Sequence, residues 1–281
     1  MPTIELDPSE INAVTERALA EDIGNGDLTT RATVPAETTL KTVIAARQDL
    51  VVAGMPVVVE IFNRLAPAAK LKIITSDASR ISAGGVIARI EGPAEGLLTA
   101  ERTALNILQL LSGIATVTSQ YVGQLDGLDC KLLDTRKTLP GLRAVSKYAV
   151  RCGGGTNHRM RLDDGVLIKD NHAAVTGGVG VAVKRAKAAG LREVRAECDT
   201  LAQVKDALAA GADSLLLDNM CLQTLHQAVA IVDHRIKLEA SGGITLETIR
   251  LIAETGVDYV SVGAITQSAP AVDIGLDLDK D

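Results

Sequence analysis

Between residues 131 and 264 short apolar runs alternate with longer amphipathic ones, and each apolar run stops at a polar residue or a glycine. The runs are KLLDTR (131–136), VLIKD (166–170), VRAECD (194–199), SLLLD (214–218), IKLEAS (236–241) and YVSVGA (259–264). Their closing residues, Arg136, Lys169, Glu197, Asp218, Ser241 and Gly263, stand 33, 28, 21, 23 and 22 residues apart, intervals that fit one βα unit each. Stretches of helical spacing lie between them, such as TLAQVKDALAAGA and TLETIRLIAETGV, and close on Gly211-Ala212-Asp213 and Gly256-Val257-Asp258. Strands buried on both faces read as apolar runs, so this half predicts consecutive parallel units, in an open doubly wound sheet or a barrel. The unbroken series of polar strand ends favours the barrel, because an open sheet gathers its ligand groups at one switch point. Six strands are legible; a seventh or eighth is not.

The first part of the chain follows another pattern. Residues 7–22 predict a helix, with Asp7 as cap, Pro8 in the first turn, Glu10 at the capping-box position, and Ile11, Val14, Ala18 and Leu19 on one face. Residues 40–98 alternate strand-like runs (KTVIAA, KLKII, VIARIEG) with one helical stretch from Met55 to Leu65, and Gly84-Gly85 marks a turn before the last strand. That mixture predicts a small α+β domain. A helix over Thr99–Val122 follows, apolar around most of its circumference, which places it buried at a domain junction. The expected division is 1–112 for the α+β domain and 113–266 for the barrel. The alternating tail DIGLDLD (273–279) predicts an edge strand, so that 267–281 returns to the first domain.

Composition narrows the function classes. With one Phe, three Tyr and no Trp among 281 residues, the core has to be packed from Leu, Ile, Val and Ala. A net charge of −6 argues against a nucleic-acid partner. Cys130, Cys152, Cys198 and Cys221 form no CxxC pair or His/Cys cluster, and are expected to be reduced, buried thiols in a cytoplasmic protein. The opening segment lacks the basic and apolar regions of an export signal. No apolar run is long enough to span a membrane.

The charge is unevenly spread. Residues 136–172 carry Arg136, Lys137, Arg143, Lys147, Arg151, Arg159, Arg161 and Lys169 against Asp163, Asp164 and Asp170, so this window is +5 and the remainder −11. A cationic patch in an acidic protein points to a small polyanionic substrate. A solvated helix face is the plainer explanation for Arg143 and Lys147, but not for Arg136 and Lys169 at the ends of apolar strands. In CGGGTNH (152–158) the Gly153-Gly154-Gly155 triplet suits a backbone that approaches a ligand closely and delivers His158 and Arg159 after it. Ser241-Gly242-Gly243, with Thr245 expected to open the next helix, offers N–H groups to a phosphate. Gly263-Ala264 would form a second wall. The plainer alternative for both is a tight βα turn.

These segments are where the chain resembles the quinolinate phosphoribosyltransferases, a family of decarboxylating transferases. The resemblance rests on EDIGNGDLTT (21–30), ERTALNILQLLSGIAT (101–116), DTRKTLPGLR (134–143), YAVRCGGGTNHRMRLDDGVLIKDNH (148–172), the pair Glu197 and Asp218, LEASGGI (238–244) and GVDYVSVGAIT (256–266), nearly the whole chain. It implies an incomplete TIM-like α/β barrel with an N-terminal α+β domain, in a homodimer whose active sites are shared between subunits. It implies phosphoribosyl transfer from phosphoribosyl pyrophosphate to quinolinate with loss of CO2, giving nicotinate mononucleotide in NAD biosynthesis. Arg102, Thr135, Arg136, His158, Arg159 and Lys169 would bind quinolinate. Lys137 and Lys169 would meet the pyrophosphate, Glu197 and Asp218 the ribose or Mg2+, and Ser241, Gly242 and Gly243 the 5-phosphate. Arg161 stands where the family pattern has Gly, which implies an altered local backbone. Arg102, expected in the first turn of its helix, would oppose the helix dipole there, as a substrate ligand is free to do. From other classes, Lys169 at a strand end also fits a Schiff-base aldolase, a non-catalytic metabolite-binding barrel stays open, and a molybdate-transport-associated homologue shares much of the barrel. A glycosidase pair at Glu197 and Asp218 is disfavoured by the lack of aromatics to stack sugars.

Overall fold

Asp7 and Pro8 begin the first helix, α1 (Pro8–Ile23), for simple reasons. The Asp7 carboxylate accepts the Ser9 N–H at 2.8 Å, and proline fits a turn that needs no donor. The computed structural model describes residues 4–279. The start of the opening segment (1–3) and the end of the expected returning tail (280–281) lie outside the described residues.

The elements then run α2 (Leu28–Thr33), β1 (Thr39–Ala46), β2 (Leu50–Val51), α3 (Met55–Leu65), β3 (Lys70–Ile73), β4 (Arg80–Ile81), β5 (Val86–Pro93), α4 (Ala94–Gln124), β6 (Lys131–Leu133), α5 (Arg143–Cys152), β7 (Leu167–Ile168), α6 (Asp170–Thr176) and α7 (Val179–Ala188). They close with β8 (Arg195–Cys198), α8 (Leu201–Ala209), β9 (Ser214–Asp218), α9 (Leu222–Val232), β10 (Lys237–Ser241), α10 (Ile249–Ala253), β11 (Tyr259–Ser261), α11 (Ala264–Gln267) and β12 (Ile274–Leu278).

Two compact units result. One holds residues up to Ser119, Thr138–Gly154 and the chain from Ile265 onward; the other holds Gln120–Lys137 and Gly155–Ala264. A cut at 112/113 therefore falls inside α4, a continuous helix that keeps its contacts with the first unit as far as Ser119. The span 113–266 also gives up Thr138–Gly154. Helix α5 buries Val145, Tyr148 and Ala149, and the Tyr148 hydroxyl donates to Asp77 at 2.6 Å within the first unit.

In the first unit the antiparallel sheet has the order β12-β1-β5-β3, so the tail strand is hydrogen-bonded to β1 along its edge. Its core includes Ile44, Val57, Ile61, Phe62, Ile87 and Ile90. Helix α4 begins at Ala94, five residues before the expected Thr99, because its first turn accommodates Gly96 right after the strand-ending Pro93. Arg102 is thus the ninth residue of the helix. The macrodipole fades within the first turn, so the electrostatic argument from a helix start does not apply to Arg102. Gly153 is explained by packing as well: a Cβ there would lie 2.6 Å from Thr118 Cβ of α4, so the glycine admits the helix rather than a ligand.

The second unit is a parallel sheet in the order β6-β11-β10-β9-β8-β7. From β7 to β11 each strand lies beside its predecessor, and β6 follows β11, so the winding never reverses and has no switch point. Thr156 bridges Leu133 in parallel on the far side of β6. This is the incomplete α/β barrel, with six strands. Along the strands one parity is apolar and buried, as in Ala196, Cys198, Leu215, Leu217, Leu238 and Ala240. It packs with helix residues such as Val183, Val204, Ala207 and Leu225, where each fully buried large aliphatic side chain contributes about 1.5–3 kcal/mol.

Candidate active site

The other strand parity is largely polar, and it builds the site. In register, Arg195, Ser214 and Lys237 share one level; Glu197, Leu216 and Glu239 share the next; Asp218 and Ser241 share the last. At the C-terminal ends, Glu197 and Asp218 are half-buried. Burial pushes the Glu197 carboxyl above its ordinary range, Lys169 opposes the rise, and Asp218 adds to it. Asp218 is likewise raised by burial and then by Asp199, while Lys137, the Asn219 amide and Lys169 hold it down. Of the residues named from the sequence, Lys169 is thus in electrostatic reach of both carboxylates and Lys137 of Asp218. Asp199 is an addition that the sequence reading lacked. Carboxylate oxygens of Glu197, Asp199 and Asp218 lie within 4.8 Å of one another, a hard oxygen set that fits Mg2+.

Local structure sets these side chains. The Lys137 N–H donates to Thr135 Oγ1 at 3.0 Å. A Cβ at Gly263 would come 2.8 Å from Lys137 Cδ, so the glycine lets that side chain pass. Lys169 caps α6, and its N–H donates to His172 Nδ1 at 3.0 Å, which makes His172 part of the cap. Gly242 and Gly243 have φ of +96° and +60°, a left-handed pair that suits glycine. Thr245 does not open a helix. Residues 245–248 form a turn in which the Thr245 N–H donates to Thr248 Oγ1 at 3.0 Å, and the five-residue α10 starts only at Ile249. Ala264 begins the short α11.

Deeper in the unit a second network appears. Buried Asp134 accepts from Asn157 Nδ2 at 2.6 Å and from the His158 N–H at 2.8 Å. The His158 ring receives the Arg159 N–H at Nδ1 (2.7 Å), and its Nε2 lies 2.5 Å from Arg195 Nη1 and 3.4 Å from Glu239 Oε2. Arg195 Nη1 donates to Glu239 Oε2 at 2.6 Å. Burial alone would raise Glu239, but His158, Arg195 and Ser261 hold its carboxyl below the usual range. Arg159 is lowered first by burial, then by Arg136 and Arg195. Arg159 thus sits in reach of two like charges, one of them, Arg195, already paired with Glu239, and its surroundings favour a bound anion. A cavity of about 370 Å³ is lined by His158, Arg159, Arg195, Ser214, Lys237 and Tyr259 among others, so it opens toward the strand starts. His158 and Arg159 line it; Lys137, Lys169, Glu197 and Asp218 do not.

Arg102 is exposed on α4 and belongs to the first unit, as do Arg143 and Lys147. Lys147 is fully buried, which excludes the solvated helix face expected for it. Arg161 pairs with Asp163 at 3.3 Å and is absent from the residues with positive φ, so its backbone does not need a glycine. Cys130, Cys152 and Cys198 are buried free thiols as expected. Cys221 is exposed instead, because it caps the start of α9.

Breaking the interior pair gives a measurable expectation. Glu239→Gln leaves the Arg195 charge without its buried partner and should cost about 3 kcal/mol of stability. Because the folded-state carboxyl is depressed, its contribution is present above the unfolded value of about 4.3 and is lost as pH falls through the lower folded one. Denaturant unfolding of both proteins at pH 7 checks this; a difference under about 1 kcal/mol would mean that solvent satisfies Arg195 equally well.

Known proteins match the chain over nearly its whole length. The family models described as the N-terminal and C-terminal domains of quinolinate phosphoribosyl transferase match residues 27–112 and 114–277. A probable carboxylating nicotinate-nucleotide pyrophosphorylase of Bacillus subtilis (strain 168) is 43% identical over 260 residues, 92% of this chain and 90% of that one. A protein of Mycobacterium leprae (strain TN), described as a carboxylating nicotinate-nucleotide pyrophosphorylase, is 44% identical over 269 residues, with 93% and 95% covered. The solved nicotinate-nucleotide pyrophosphorylase of Francisella tularensis superposes with a TM-score of 0.92 at 38% identity, covering 98% of each chain.

Proposed function

The chain belongs to the quinolinate phosphoribosyltransferase family, and on that premise we propose how its own residues carry the reaction. The protein joins quinolinate to phosphoribosyl pyrophosphate with loss of CO2, giving nicotinate mononucleotide and pyrophosphate. The observation that supports the reading best is the convergence of Lys137, Lys169, Glu197 and Asp218 at the strand ends, above an interior lined with guanidiniums. Family membership sets aside the Schiff-base reading of Lys169 and the non-catalytic barrel.

Arg136, His158, Arg159 and Lys169, with Thr135 and Arg102, take the two carboxylates of quinolinate; guanidinium forks suit planar dianions. The 5-phosphate lies against Ser241, Gly242 and Gly243, bordered by Gly263 and Ala264. Lys137 and Lys169 meet the pyrophosphate. Glu197 and Asp218 face the ribose, where anions stabilise the positive charge that develops as the leaving group departs. Mg2+ would be held by Glu197 and Asp218 with Asp199, and would supply charge neutralisation for the pyrophosphate. The ring nitrogen bonds to the ribose C1 as the C1–O bond to pyrophosphate breaks. The neighbouring carboxylate then leaves as CO2, and the cationic ring holds the electron pair until a proton arrives from solvent. No protein base is required for that step; positioning suffices.

The remaining readings are a homodimer with shared sites and a cytoplasmic location. The location is supported by four free cysteines and by the absence, among the described residues, of a helix long and apolar enough to cross a membrane. Arg102, exposed on α4 in a unit apart from the other site residues, is assigned to the neighbouring subunit's site. Arg102→Ala and Lys169→Ala chains should each be nearly inactive alone. Mixed and refolded together they should recover about a quarter of wild-type activity, since half of the dimers are mixed and each holds one intact site. No recovery, with exchange verified by a tagged chain, would place Arg102 in its own subunit's service. The reaction itself is tested by incubating the protein with quinolinate, phosphoribosyl pyrophosphate and Mg2+ and measuring CO2 and nicotinate mononucleotide.

A further inference from the structure

Asn219 follows Asp218 directly and was not among the residues that sequence or family resemblance singled out. Its backbone is left-handed at φ +53°, a conformation that asparagine tolerates better than most side chains. That turn lets one residue reach three ways. Its N–H donates to the Ser241 carbonyl at 2.9 Å, tying the end of β9 to the end of β10. Its Nδ2 donates to Asp218 Oδ2 at 2.6 Å. Its side-chain amide fills the space beside Gly242, where any Cβ would collide with it. Asn219 thus touches both the carboxylate assigned to the ribose and the glycine turn assigned to the 5-phosphate.

We propose that Asn219 is a positioning residue for phosphoribosyl pyrophosphate: it fixes the Asp218 carboxylate and the Ser241–Gly243 turn in one mutual geometry. The inference rests on the reading of the reaction given above. The Asn219 amide occupies the place a Gly242 side chain would take, at a position where the positive φ already favours glycine. The ribose and its 5-phosphate are parts of one rigid-ringed substrate, so two ligand groups on separate strands must keep a set distance. Asn219 is the covalent neighbour of one and the hydrogen-bonded neighbour of the other. None of these contacts is to Thr135, Arg136, His158 or Arg159, and Asn219 meets Lys169 only through Asp218, so quinolinate binding should suffer far less than that of phosphoribosyl pyrophosphate.

Asn219→Asp keeps the shape and the tolerance for positive φ but replaces the Nδ2 donor with an oxygen facing Asp218 and adds a negative charge beside it. Loss of such an orienting contact typically costs about 10- to 100-fold in activity or affinity. The expected result is a KM for phosphoribosyl pyrophosphate raised about 10-fold or more with kcat lowered, while in the uncharged variant Asn219→Gly quinolinate binding by calorimetry, without the second substrate, stays within about twofold. Asn219→Gly keeps the left-handed backbone without the amide and should show the same selective defect. Wild-type KM for phosphoribosyl pyrophosphate in either variant, or an equal loss of quinolinate binding, would overturn the assignment. Wild-type protein in the same assay separates the two levels: if it does not turn over quinolinate, the reaction assigned to the fold is wrong. If it does and the variants match it, only the role of Asn219 falls.

Discussion

With phosphoribosyl pyrophosphate present, quinolinate should be consumed at least about 10³-fold more efficiently than nicotinate, which carries one carboxylate fewer. Sites built around polar groups reject an analogue lacking the matching group strongly, because the protein's own charges are then left unpaired. Here the groups are concrete. Arg159 is destabilised by burial and by Arg136 and Arg195, so removing one carboxylate from the ligand leaves like charges facing each other in a partly desolvated space. A pocket that merely accommodated a pyridine ring would discriminate far less, since it would lose only packing. The decisive measurement is kcat/KM for both acids under identical conditions. Comparable values would mean that the guanidinium group does not read the second carboxylate.

Lys169→Ala should lower turnover by about 10²- to 10³-fold, the range for removing one preorganised charge from a transition state. Lys169 is exposed at the end of β7, and its ammonium counteracts the upward shift of both Glu197 and Asp218. Because it is exposed and its backbone, not its side chain, meets His172, the fold has little need of the ammonium. The melting temperature should therefore move by no more than about 2 °C, as for ordinary surface substitutions. If turnover survived while stability fell, Lys169 would be a structural residue.

Much of this arrangement could be read from the chain. The six parallel strands were legible because each is a short apolar run bounded by helical spacing, and the order of polar strand ends pointed to the barrel rather than a doubly wound sheet. Helix α3 was legible from Met55 to Leu65 because its apolar positions recur at helical intervals. What escaped was the parity of the strands. Arg195 and Glu239 sit within runs that read as apolar, yet Arg195/Glu197 and Lys237/Glu239/Ser241 alternate with period two, a signal of a polar barrel interior. Asp199 shares that parity with Glu197. Asn219 gave no periodic signal, since its part depends on a backbone conformation and on a strand more than twenty residues away. The start of α4 was missed because Pro93 and Gly96 together suggest a turn, whereas Pro93 ends β5 and the helix starts at once after it and includes Gly96. Gly153 looked like a ligand-approach glycine for another reason: close packing against a helix and close approach to a ligand place the same demand on a side chain.

The strand β12 has a consequence for the order in which this chain can mature. It is the edge partner of β1, yet it is made only after the entire barrel segment between them. On the ribosome, where domains fold as they emerge, the N-terminal sheet has to form with that flank of β1 bare. An unpaired flank is an invitation to neighbouring chains. The barrel acts in effect as a timer: until the whole of it and then β12 have been translated, the sheet that precedes it keeps one edge open.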